Sequence, residues 1–177
     1  WALNQPYQQS ASKGYEADGL LYLKSGSKEQ NILAKQGDDL RIDWGYFYMV
    51  AGKENTAYSV GNSTELRKNF VNGTLNSASL EGEDSNGNMA LVRSHGKVKN
   101  VTDKIMLGYD DIYSIQYFGT NLRPYWNSKG DRTIEAEMLA AYNEYDKLLA
   151  RCYAFDKKLM EDASAAGGKE YAELCAL

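Results

Sequence analysis

The apolar pattern of this chain changes period once, and that change limits the fold more than any other feature. From Ile134 onward, Ile134, Met138, Ala141, Tyr145, Leu148, Cys152, Phe155 and Leu159 recur at alternating spacings of four and three, which puts all eight on one stripe of a helix. Before Asn127 the residues alternate with a period of two and are punctuated by Gly, Asn and Asp, as in an antiparallel sheet protein. The fold class expected is therefore α+β: an antiparallel, β-sandwich-like portion, then a long helix and the start of a second.

Strands are predicted at Tyr7 to Ser12, Gly19 to Lys24, Trp44 to Ala51, Thr56 to Val60, Met89 to His95, Lys104 to Tyr109 and Ile112 to Phe118. Trp44 to Val50 is apolar on both faces and should be central. In the last strand Tyr113, Ile115 and Tyr117 share a side that should face a core. Asn62 followed by Glu65 resembles a capping box for a short helix carrying Leu66 and Phe70. The stretch Asn72 to Asn88 reads as a long polar loop. Asp131 or Thr133 can cap the long helix, Glu135 and Glu137 suit its positive end, and Gly167-Gly168 stops it. About thirty residues of helix span ~45 Å. Two domains follow from this, 1–127 as the C-terminal part of an all-β domain and 128–177 as the first hairpin of a helical-hairpin domain. The chain opens at Trp1 and closes on AELCAL without a stop residue, so it reads as a piece of a longer protein.

Composition closes off several classes of function. A net charge of -4 gives no basic footprint for nucleic acid, and no apolar run is long enough to span a bilayer. His95 is the only histidine, so the chain cannot hold a two-histidine metal site or HExxH. GxSxG, P-loop and GxGxxG motifs are absent as well, and no cofactor is implied. The acids of the Asn72 to Asn88 loop do not fit an EF-hand, because Gly82 stands where the first Asp must be, and no metal is expected. Cys152 and Cys175 would lie about 22 Å and 10 Å from a turn at Gly167-Gly168. That is too unequal for a disulfide, so reduced, mostly buried thiols are expected.

Two acid clusters could carry chemistry. The first is Asp38, Asp39, Arg41 and Asp43 before Trp44; the second is Asp110-Asp111, followed by Arg123 and the Tyr125-Trp126 pair. Opposed carboxylates such as Asp43 and Asp111 could act as general acid and base. Arg123 could clamp a substrate carboxylate, with Tyr125 and Trp126 lining the cleft between two domains. The plainer reading gives the acids to turns and ion pairs and the aromatics to an interface core.

Three strings, LKSGSKEQNILAKQGDDLRIDWGYFYMVAG, KIMLGYDDIYSIQYFGTNLRPYW and EYDKLLARCYAFDKKLMEDASAAGGKEYAELCAL, resemble the glutaminase A family of bacteria and fungi. The resemblance implies an all-β domain followed by a six-hairpin helical domain. It also implies an extracytoplasmic hydrolase, secreted or periplasmic, that converts L-glutamine to L-glutamate and ammonia. It carries over no catalytic residues. The expected partners are the remainder of the parent chain, glutamine as the small-molecule substrate, and a second copy through exposed sheet edges. On this reading the chain is a scaffold, inactive alone. The alternatives are a carbohydrate-binding or accessory module using Trp44, Tyr125 and Trp126 as platforms, or a purely structural interaction domain with buried aromatics.

Overall fold

A computed structural model describes residues 10–34, 44–75, 81–82 and 88–177, with 81 and 82 described by their backbone alone. The architecture is α+β. Five antiparallel strands form the main sheet in the order β5-β1-β2-β3-β7: β1 (Ser10–Ala17), β2 (Leu20–Ser27), β3 (Tyr46–Gly52), β5 (Glu81–Gly82) and β7 (Met106–Asp110). A ribbon of β4 (Thr56–Gly61) and β6 (Asn88–Arg93) and a hairpin of β8 (Ile115–Tyr117) and β9 (Thr120–Leu122) complete the strands. The helices are α1 (Ser63–Val71) and α2 (Ile134–Cys175).

Because side chains alternate along a strand, register decides what each face of the main sheet does. Leu21 and Leu23 of β2 point to one face and join Tyr58 and Val60 of β4 and Met89 of β6 in the main core, flanked by Phe47, Met49 and Leu91. Gly14 of β1 lies on this face beside Leu23, and a Cβ there would sit 2.2 Å from the Tyr58 ring. Tyr58 thus packs on bare backbone. The opposite face carries Lys13 and Tyr15 of β1, Tyr22 and Lys24 of β2, and Tyr46, Tyr48 and Val50 of β3. The first turn of α2 lies on it, with Met138 buried against Gly108 of β7. The Thr133 hydroxyl caps that helix by accepting from the Ala136 N–H at 3.2 Å.

The chain divides into two compact units, Trp1–Met138 and Leu139–Leu177. The sequence-based boundary at 127/128 falls before α2 begins, whereas its first residues pack with the sheet through Glu135 and Met138. In the second unit Gly168 breaks the helix at φ 81, where the glycine pair predicted a stop. Ala163 and Ala172, on either side of the break, are both buried.

Three expectations are corrected here. The strand placed at Ile112 to Phe118 starts only at Ile115, because Ile112 takes a left-handed φ of 59 and turns a corner. Ile115 and Tyr117 are exposed instead of facing a core. Phe70 of α1 is also exposed, leaving Leu66 as that helix's buried anchor. Both cysteines are free as expected, yet both are exposed. The strand at Tyr7 to Ser12 lies partly outside the described residues, and β1 runs on to Ala17. Most of the Asn72 to Asn88 loop also lies outside them.

Candidate functional site

The second acid cluster folds into a corner held by Trp44. This indole is buried at the start of β3, and its Nε1–H donates to the carbonyl oxygens of Asp111 at 2.7 Å and Tyr113 at 2.9 Å. The Tyr109 hydroxyl donates back to the Trp44 carbonyl. Gly45 must be glycine here: its φ is 90, and a Cβ would lie 2.5 Å from the Asp110 carbonyl oxygen. The Gly45 N–H donates to the Gln30 side chain at 2.6 Å, and Gln30 in turn donates to the Ser27 carbonyl at 2.7 Å.

The two carboxylates of this corner serve the backbone first. Asp110 Oδ1 accepts the Ile112 N–H at 3.0 Å, an Asx-type turn that supports the positive φ of Ile112. Asp111 Oδ2 accepts from the Ser114 hydroxyl at 2.6 Å, while its Oδ1 is buried and has no hydrogen-bond partner. Among the described residues that oxygen is the buried side-chain acceptor left without a partner. The other predicted acid, Asp43, lies outside the described residues with Asp38, Asp39 and Arg41.

Of the other three candidates Arg123 reaches this corner, while Tyr125 and Trp126 lie in the short helical turn after it and line a separate hollow. The Arg123 guanidinium lies 5.0 Å from the Tyr113 ring centroid, and a Cβ on Gly130 would come within 3.0 Å of its Nε. It is thus packed between a ring and a glycine turn, with its exposed side open to solvent. Tyr125, Trp126, Ser128, Lys129, Asp131 and Arg132 line a shallow hollow of about 250 Å³. Trp126 is half-buried, but Tyr125 is 97% exposed. On the adjoining hairpin Phe118 is 91% and Tyr117 60% exposed, and their rings meet edge-on at 74°. These two rings do not share the flat surface that a sugar platform presents, and Trp44 is buried.

Sequence reasoning missed two polar clusters. In the first, Tyr15 donates to Glu135 Oε1 at 2.6 Å and Tyr22 donates to the Glu135 carbonyl at 3.3 Å. Burial and the nearby Glu135 carboxylate push the Tyr15, Tyr22 and Tyr48 hydroxyls above the ordinary tyrosine range. Lys24 belongs to this cluster, with Nζ 3.7 Å from the Tyr46 ring centroid. The period-two placing of Tyr15, Tyr22, Lys24, Tyr46 and Tyr48 is visible in the sequence. Their convergence is not, because it depends on the pairing of three strands and on a helix turn from far along the chain.

The second missed cluster involves the only histidine. His95 Nε2 lies 3.1 Å from Asp103 Oδ2, and Arg93 grips both oxygens of Asp103, Nε on Oδ2 at 2.5 Å and Nη2 on Oδ1 at 2.9 Å. Arg93 Nη1 also donates to the Gly52 carbonyl at 2.5 Å and the Thr56 hydroxyl at 2.6 Å. Asp103 is therefore tied to a structural arginine, which holds its carboxyl below the usual range. The network pins the connection after β6 to the β3–β4 turn. Among the described residues no group of three or more His, Cys, Asp or Glu side chains could hold a metal ion.

The antiparallel sheets and the long C-terminal helix define an α+β fold, a class that many unrelated proteins share and that names no activity by itself. A family model described as a domain of unknown function, DUF5127, matches residues 1–162, and the chain belongs to that family. No curated protein and no solved structure matches it. The resemblance to the glutaminase A family is corrected accordingly: the family matched is one of unknown function, and no glutaminase family is matched. No helix among the described residues is long and apolar enough to cross a membrane.

Proposed function

We propose that this domain is a docking scaffold that works against a further protein body, the remainder of the polypeptide it belongs to, and does not complete a reaction alone. The observation that carries the proposal is the exposed pair Tyr117 and Phe118, whose rings meet on the hairpin that follows the corner stiffened by Trp44, with exposed Tyr125 further along the same connection. Large apolar side chains grouped at a surface mark interaction sites more often than isolated ones do. Within the second unit Tyr145, Leu148 and Phe155, three members of the predicted helical stripe, are exposed too. The carboxylates and the arginine of the corner act as supports within it.

Hydrolysis of the L-glutamine side-chain amide, extracytoplasmic, is proposed only for the assembled protein. Two measurements separate these claims. Ammonia release from L-glutamine is compared for the 177-residue chain and for the natural polypeptide that contains it. Turnover by the short chain overturns the scaffold reading. No release by the long one removes amide hydrolysis but leaves docking standing. In the longer polypeptide Phe118→Ser and Tyr125→Ser should lower stability by at least about 1 kcal/mol each, whereas in the short chain they should stay within about 0.5 kcal/mol. Equal effects in both would overturn docking.

A further inference from the structure

The apolar stripe of α2 keeps the strict four-three spacing of a coiled-coil seam, and its middle is uncovered. Written as heptads, Met138, Tyr145 and Cys152 hold the a positions, and Ala141, Leu148 and Phe155 hold the d positions. Met138 is already buried against Gly108 of the sheet. The rest belong to the second unit, where Ala141 and Cys152 are exposed and Tyr145, Leu148 and Phe155 are 38%, 49% and 67% exposed. The two flanks of the seam differ in kind. One carries Glu144 and Arg151, each just before an a position, and the other carries the half-buried Tyr142 and Leu149. Glu144 and Arg151 are exposed and make no ion pair among the described residues. Their neighbours along the same flank do: Glu137 pairs with Arg132 at 3.1 Å, and Lys158 with Asp162 at 2.6 Å.

We infer that this seam takes a second copy of the chain, in an antiparallel two-helix coil whose two-fold axis crosses between Tyr145 and Leu148. In an antiparallel pair each a residue meets a d residue of the other helix. Tyr145 then faces Leu148 of the second copy, and Ala141 faces Cys152 of the second copy, so the layers are even in size. The same register sets Glu144 against Arg151 of the second copy on one flank, and Tyr142 against Leu149 of the second copy on the other. The two-fold axis makes every one of these matches twice. Charge meets opposite charge, and apolar meets apolar. A parallel coil stacks Tyr145 on Tyr145 and Ala141 on Ala141, sets Glu144 against Leu149, and keeps only Arg151 against Asp156 as a charge match. The apolar layers supply affinity, while the charge pairs fix orientation and partner. The inference rests on the docking reading as far as it names a partner for the helical stripe; the hairpin of Tyr117 and Phe118 takes no part in it, so either can fail alone.

Sedimentation equilibrium of the 177-residue chain and of two charge reversals tests this. The parent chain should dimerise reversibly, and Glu144→Arg and Arg151→Glu should each weaken the dimer at least about tenfold, because each sets like charges together at two places. An equimolar mixture of the two variants should associate as the parent does, within about threefold, since both contacts are again between opposite charges. Both positions are exposed, so neither reversal threatens folding. A cross-link reads the orientation. In a Cys175→Ser background, Ala141→Cys should give a disulfide-linked dimer through Cys152 of the second copy. The Cys175→Ser chain alone should give none, because an antiparallel coil holds the two Cys152 residues eleven positions apart, about 16 Å along the axis. A parent chain that stays monomeric to about 0.5 mM, a mixture as weak as the single variants, or a Cys152 to Cys152 cross-link overturns the inference. If the longer natural polypeptide is monomeric, the stripe belongs to a helix of the same polypeptide, and the second copy is overturned as well.

Discussion

Replacing Trp44 by phenylalanine should loosen the corner that presents the exposed aromatics, and its cost can be worked from the structure. The indole is 6% exposed, and its single N–H serves two carbonyls at 2.7 and 2.9 Å. Losing that hydrogen bond costs about 1 kcal/mol, and leaving the acceptors partly unsatisfied adds to it. The smaller ring leaves a void. Since full truncation of a buried aromatic costs about 3–5 kcal/mol, removing part of one accounts for roughly 1–2 kcal/mol. The sum is about 2–3 kcal/mol, a fall in Tm of roughly 4–12 °C for a domain of this size. Urea unfolding of Trp44→Phe, Tyr109→Phe and the double variant measures it. The Tyr109 hydroxyl donates to the Trp44 carbonyl, so the two single effects should not add. A loss under about 0.5 kcal/mol for Trp44→Phe, with an unchanged slope, would refute the view that this indole holds the corner.

Three further outcomes are expected. Gly45→Ala should destabilise by at least about 2 kcal/mol, because it combines a left-handed φ with a Cβ pressed on the Asp110 carbonyl; the same urea assay checks it. Acid stability should depend on Asp103. Arg93 lowers its carboxyl pKa in the folded state, so its contribution is present above the unfolded value near 4 and is lost as pH falls through the folded value. In Asp103→Asn that portion of the acid transition should disappear from a pH series of unfolding curves. At high pH the sign reverses: Tyr15, Tyr22 and Tyr48 have raised folded pKa values, so their contribution holds below about 10 and is lost as pH rises further. Phenolate absorbance should show these three ionising together with loss of structure, and Tyr15→Phe should reduce that alkaline sensitivity.

The fold was readable where one local rule acted alone. The helix from Ile134, a cap at Asp131 or Thr133 and the break at Gly167-Gly168 each follow from spacing and backbone chemistry, and the structure has the helix there, the cap at Thr133 and the break at Gly168. Alternation likewise located β2, β3 and β4 to within a few residues. The hairpin near Ile115 went wrong because Tyr113, Ile115 and Tyr117 alternate as a buried strand would, while Asp110 bends the backbone at Ile112. Alternation shows that two faces differ but does not say that one is covered. The sequence draws attention to Trp44, Asp111 and Arg123 as candidates for chemistry, but their partners in the structure are backbone carbonyls, a serine and a tyrosine ring that composition cannot point to.

Gly14 contributes no side chain of its own, yet it sets the gauge between the two β layers. The Tyr58 ring occupies the volume where any other residue at position 14 would put its first carbon. Even alanine there would have to lift the ribbon of β4 and β6 from the sheet or swing out a buried ring. In a saturation screen for folded protein, position 14 should therefore be as intolerant as Leu23, and the substitutions that rescue it should fall at Tyr58, not along β1.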